Sequence, residues 1–159
     1  MMDRSDKLEP ADNGAEEVNR TPPAPPASTP ATRRRMQNTR RRDTPAEVAL
    51  RRDLHRRGLR YRVDFPPVPR LRRRADVVFP REKIAVFCDG CYWHGCPEHG
   101  TWPKENAEWW RAKIEATQRR DADTNARLRA AGWLVVRVWE HEDITEAAAT
   151  IETIIHGRR

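Results

Sequence analysis

Residues 85–101, AVFCDGCYWHGCPEHGT, constrain this chain more than any other stretch, because they gather all three cysteines and two of the five histidines. Thiolates and imidazoles packed this densely suit a zinc site better than an apolar core. Cys91, Cys96 and His99 give the spacing C-x4-C-x2-H, and a closed tetrahedral site needs one more ligand. His141, just after the apolar run WLVVRVW, is the distant candidate. His94 lies between the cysteines but outside that set; it is either a free histidine or the ligand in place of His99. With no apolar leader in view, clustered cysteines argue for metal rather than disulfides and for a reducing cytoplasm.

Charge is divided along the chain. The net charge is +7, but residues 1–32 carry a net of −3 while residues 33–74 hold sixteen arginines against four acids. Arginine at that density implies a polyanionic partner, and nucleic acid is the obvious one. No run reaches the length of a membrane span, so no membrane partner is expected. The segment TPPAPPASTP can only be extended, so residues 1–32 are expected to be an unstructured tail. Residues 33–42 follow as a basic arm, with Arg40, Arg41 and Arg42 meeting DNA phosphates, and residues 43–159 as the folded domain.

Thr44, Pro45 and Glu47 form a capping box that starts a helix, Leu50 and Leu54 continue its apolar stripe, and Gly58 ends it. Strands are expected over 59–63, 75–79 and 83–88, with a tight turn at 80–83. A long helix over 104–131, a strand over 133–139 and a helix over 143–156 complete the order. A helical crossover between the third and fourth strands makes them parallel, giving an α/β mixed sheet flanked by helices.

Two acids occupy positions that favour apolar residues. Asp76 lies within the strand ADVVF, where a carboxylate is costly without a partner; it either binds a metal or pairs with one of Arg72, Arg73 and Arg74. Asp121 shares a helical stripe with Trp110, Ile114, Thr117 and Leu128. It is either a boundary residue or the carboxylate that orients His94. Histidine handles protons near neutrality, and carboxylates suit a hard cation such as Mg²⁺, which is the equipment of phosphodiester hydrolysis.

The pieces DTPAEVALRRDLHRRGLRYRV, RADVVF, AVFCDGCYWHGCPEHGTWP, WWRAKI, RRD and AAGWLVVRVWEHE occur in that order over residues 43–142. In this the chain resembles the very-short-patch-repair (Vsr) DNA mismatch endonucleases, a branch of the PD-(D/E)xK superfamily. The resemblance implies a restriction-endonuclease-like mixed sheet with an inserted zinc-binding loop. It implies nicking of the thymine strand at T:G mismatches left by deamination of 5-methylcytosine, with catalytic Mg²⁺ and structural Zn²⁺. It carries Asp76 over as the magnesium ligand, Glu47 as a glutamate near the active site, His94 as the histidine acting with a magnesium-bound water, and Asp121 as its support. Zinc falls to Cys91, Cys96, His99 and His141, with Glu98 as the alternative to His99. Tyr92, Trp93 and Trp110 match aromatics that wedge into the DNA stack; core packing is the other reading for Trp93 and Trp110. Expected partners are duplex DNA with a T:G mismatch and other repair proteins, the enzyme working as a monomer on the nucleoid.

Cys88 and Asp89 depart from the family's Thr-His pair. Asp89 is expected to offer the metals a second carboxylate, and the Cys88 carbonyl can still ligate magnesium. The D/E-x-K lysine is missing, so its work falls to His94. Two other functions stay open: a restriction-type or general DNA nickase on the same fold, and a zinc-stabilised DNA-binding module without catalysis. Internal acids at Glu47, Asp76 and Asp121 argue against the second.

Overall fold

The computed structural model describes residues 23–27, 29–38, 42–69 and 71–159. Most of the acidic tail, together with Arg40 and Arg41, lies outside the described residues. The elements are α1 (Pro30–Asn38), α2 (Pro45–Arg56), β1 (Arg62–Phe65), β2 (Ala75–Phe79), β3 (Ile84–Asp89), α3 (Ala107–Ala130), β4 (Leu134–Trp139) and α4 (Ile144–Gly157). The strands form one four-stranded sheet in the order β1-β2-β3-β4. The first three are antiparallel, and β3 and β4 are parallel, as the helical crossover requires.

Helix α1 crosses the boundary expected between the tail and the basic arm. Thr29 accepts from Thr32 N–H and Pro30 takes the first helical position, so a short run of good helix formers is capped where no helix is expected. The α2 capping box forms as read: Glu47 N–H bonds the Thr44 hydroxyl, and the Glu47 carboxylate accepts from that hydroxyl and from Asp43 N–H.

Strands β1 and β4 begin later than their expected starts at 59 and 133, and for one reason. Gly58 and Gly132 sit at φ of 78° and 80°, and the residue after each donates back into the helix, Leu59 to the Leu54 carbonyl and Trp133 to the Leu128 carbonyl. Those apolar residues therefore complete helix caps before any strand starts. Helix α3 starts at Ala107 rather than 104, behind Asn106 in a left-handed conformation.

Two cores flank the sheet. Helices α2 and α4 pack Leu50, Leu54, Ile151 and Ile155 on Val77, Phe79, Ile84 and Val86. Leu128 of α3 packs on Ala75, Val78 and Ala85 from the other side. Each fully buried Leu, Ile or Phe stabilises the fold by about 1.5–3 kcal/mol relative to exposure. Helix α3 thus covers the face over which the carboxyl end of β3 opens into the Cys/His loop. Among the described residues no helix is long and apolar enough to cross a membrane.

Candidate active site and metal centre

The loop leaves β3 at Asp89 and folds back under its own hydrogen bonds. His94 N–H bonds the Gly90 carbonyl, Cys96 N–H bonds the Cys91 carbonyl, and Gly100 N–H bonds the Cys96 carbonyl. Cys91 N–H donates to Glu140 Oε1 at 2.7 Å, tying the loop to the end of β4. Gly95 has φ of +63°, and a Cβ there would meet Gln118 Nε2 at 2.6 Å and Ile114 Cγ2 at 2.9 Å. Only glycine lets the loop lie this close to α3.

That approach brings His94 onto α3. Its Nδ1 is 2.6 Å from Asp121 Oδ2 and 3.5 Å from Asp89 Oδ1. With Asp121 as acceptor, Nδ1 carries the proton and Nε2 is left free as a base. Asp121, His94 and Asp89 have ligand atoms within 4.8 Å of one another. They line a cavity of about 210 Å³ together with Asp76, Glu47 and Arg137. A larger groove of about 780 Å³, between α2, Tyr61 and the start of α4, holds none of these groups.

The acids in the cavity differ in state. Burial pushes the Asp76 carboxyl up to about 6, the charges of Glu47 and Asp89 add to this, and the Cys88 N–H at 2.7 Å opposes it. Burial also pushes Asp121 up, but His94, Arg137 and Arg120 outweigh it and hold that carboxyl below its ordinary range. The Cys88 thiol is driven up by burial, and the charges of Asp76, Glu47 and Asp89 add to the rise.

Asp76 therefore fits a hard divalent cation: it is an oxygen donor whose hydrogen bond from Cys88 N–H does not offset its burial. Asp89, expected as a second carboxylate for the metals, has both oxygens on Arg137 Nη1, at 2.8 and 2.7 Å. Glu47 faces the same cavity, yet both its oxygens serve the helix cap.

The second cluster fits zinc. Cys91, Cys96, His99 and His141 have ligand atoms within 4.8 Å of one another, a spread a tetrahedral ion can close. His141 Nδ1 lies 3.0 Å from Cys91 Sγ, and its Nε2 lies 3.6 Å from Glu98 Oε2, the usual arrangement of a ligand imidazole backed by a carboxylate. Glu98 is thus placed behind His141, while His99 joins the sulfurs. Burial and the neighbouring Cys96 push the Cys91 thiol up to about 11, so a thiolate here needs a cation.

Tyr92 and Trp93 are half-buried and meet edge to face, with centroids 5.0 Å apart. Trp110 packs beneath them, 5.3 Å from Tyr92, and is only 6% exposed. Arg42, expected on phosphates, is exposed but bonds Asp64 at 2.8 Å. The expected roles of Arg40 and Arg41 fall on residues outside the description.

Arg137 is absent from the sequence reading. Its signal is an arginine inside the apolar run WLVVRVW, the same kind of anomaly that singles out Asp76. Glu140 has no such mark, since an acid just past a strand is ordinary.

Comparison with known proteins bears on this arrangement. The family model described as DNA mismatch endonuclease Vsr matches residues 27–99. The type II nicking enzyme V.NaeI of Lentzea aerocolonigenes is 44% identical over 127 residues, covering 77% of this chain and 75% of its own. The type II nicking enzyme V.XorIIP of Xanthomonas oryzae pv. oryzae is 38% identical, covering 76% and 88%. The DNA mismatch endonuclease Vsr of Escherichia coli K12 is 33% identical over 118 residues, covering 69% and 72%.

Proposed function

The chain belongs to the Vsr family of DNA endonucleases, and on that premise we propose that it nicks the thymine strand of DNA at T:G mismatches, using magnesium at Asp76 and His94 as the proton-handling group. The observation that carries this reading is the 2.6 Å contact between His94 Nδ1 and Asp121 Oδ2, in one cavity with the elevated carboxyl of Asp76. Asp121 holds the ring and its tautomer, and Nε2 accepts the proton of the attacking water. Magnesium, when bound, supplies a hard Lewis acid to the scissile phosphate, with Asp76 as its carboxylate ligand. Cys91, Cys96, His99 and His141 would hold zinc on the loop that carries His94; four protein ligands would leave no position for water, so its role would be structural.

On this reading the mixed sheet is that of the restriction-endonuclease-like fold. Tyr92 and Trp93 supply apolar surface for an opened base step. Unstacking costs a few kcal/mol and least at a mismatch, so such a wedge favours mismatched DNA.

A second reading has support in the names of the relatives. The two more similar ones are called type II nicking enzymes, which fits a nickase of matched DNA. One experiment separates the two: the purified protein with Mg²⁺ on otherwise identical T:G, C:G and T:A duplexes. Nicking confined to T:G supports mismatch repair. Equal nicking of C:G or T:A rejects it in favour of the nickase.

A further inference from the structure

We propose that Arg137 is a positioning residue of the nuclease site: it claims Asp89, so that Asp121 alone holds the ring of His94. The proposal rests on His94 being the proton-handling group.

Arg137 stands inside β4 between Val136 and Val138, opposite Phe87 in the parallel register, with its guanidinium 4.8 Å from the Phe87 ring. A charge at such a place costs stability unless it is fully matched. Its match spans two elements. Nη1 donates to both oxygens of Asp89 on β3, Nε donates to Asn125 Oδ1 on α3 at 3.1 Å, and Nη2 lies 3.3 Å from Asp121 Oδ1 on α3. Nη2 is buried and makes no hydrogen bond of good geometry, so its pull on Asp121 is by charge.

The two carboxylates that Arg137 touches are the two that approach His94. Asp121 lies 2.6 Å from Nδ1 and Asp89 lies 3.5 Å from the same atom. One N–H has two candidate acceptors, and each would turn the ring differently. Asp89 is 3% exposed and cannot turn to water, so an internal donor must occupy it. Arg137 does so with both Asp89 oxygens, and Asp121 wins the imidazole. Lysine cannot replace it, because a point charge lacks the planar fork that reaches Asp89, Asn125 and Asp121 at once.

The geometry makes an unusual demand on a mutant cycle. Arg137→Gln frees Asp89 to compete for His94. Asp89→Asn frees Arg137 to take Asp121 away from His94. Removing both leaves His94 and Asp121 undisturbed. Single-turnover cleavage is measured on whichever duplex the wild-type protein cuts best, alongside DNA affinity and zinc content. Each single variant is expected to slow cleavage on the order of 10–10²-fold at unchanged affinity, and the double variant to cut faster than either, by roughly tenfold. Arg137→Lys, which keeps the charge, is expected to slow cleavage like Arg137→Gln.

Single variants that fold and cut within about threefold of wild type overturn the proposal, as does a loss confined to affinity. A double variant no faster than its faster parent overturns it too. If Arg137→Gln fails to fold, Asp89→Asn against the double variant and Arg137→Lys against wild type still decide. His94→Ala is run in parallel: normal cleavage by that variant rejects the role of His94 itself, whereas a slow His94→Ala with an uncoupled cycle rejects only the role of Arg137.

Discussion

The cluster of Cys91, Cys96, His99 and His141 and the cavity of Asp76, Asp89, His94 and Asp121 share one loop, yet among the described residues only the second has an arginine in contact. In the first, the donors are thiols and imidazoles, and burial raises the Cys91 thiol to about 11. The His141 contact does not offset that rise, so a metal would be needed to complete the cluster as thiolates. In the second, Arg137 already balances Asp89 and helps hold Asp121 below its ordinary range, while Asp76 is left high, at about 6. A site whose charge is settled by protein groups at one end and unsettled at the other can hold its shape and still take a reactive cation. The first region is built to be closed, the second to stay open.

Removing the soft cluster's metal puts that contrast under the greatest strain. Cys96→Ser should cost the domain its zinc, expected at about one ion per chain, and its cooperative melt, because structural zinc contributes directly to folding. Elemental analysis and calorimetry read this together; a zinc-free variant melting within about 2 °C of wild type would mean that the cluster holds nothing up.

Changes in the open region should leave zinc in place and act on rate. Asp76→Ala should abolish cleavage while DNA binding persists, since losing an acid near phosphates relieves repulsion. His94→Ala should slow single-turnover cleavage by about 10²–10⁴. If His94→Ala instead sheds zinc, His94 belongs with the soft ligands and the two regions are wrongly divided.

Asp121→Asn should slow cleavage less, by about 10–10²-fold, because it disturbs only the orientation and basicity of the ring. A loss as large as that of His94→Ala would give Asp121 a direct part in the chemistry.

The smallest effect is on stability. The Asp76 carboxyl, at about 6 against an ordinary 3.8, keeps its proton in the folded protein after the unfolded chain has ionised. Its contribution to stability is intact below about pH 4 and is lost as pH rises through about 6. Without added magnesium, Asp76→Asn should therefore stabilise the protein by about 1–3 kcal/mol at pH 8 and by little near pH 4. Denaturant melts at the two pH values check it; a gain of equal size at both would trace the effect to packing rather than charge.

Much of the fold was readable because its signals are local. The box at Thr44 and Glu47 closes within one turn, and Asp143 caps α4 by bonding the N–H groups of Thr145 and Glu146. Asp121 stood out by helical spacing alone, and His94 by being left over from C-x4-C-x2-H. The errors were local as well. Leu59 and Trp133 look like strand residues by composition, and only the closure of a helix on the preceding glycine claims them.

The sequence by itself thus determined the order of elements from α2 onward, the ligand spacing of the loop and the anomalous placing of Asp76 and Asp121, because each depends on periodicity or on hydrogen bonds a few residues long. The tertiary structure decided which acid holds which base. Arg137 and Asp89 are 48 residues apart, and they meet because β3 and β4 run parallel and the register sets Phe87 opposite Arg137 and Cys88 opposite Val138. No local pattern encodes a register between distant strands; it is set by the packing of both faces of the sheet at once.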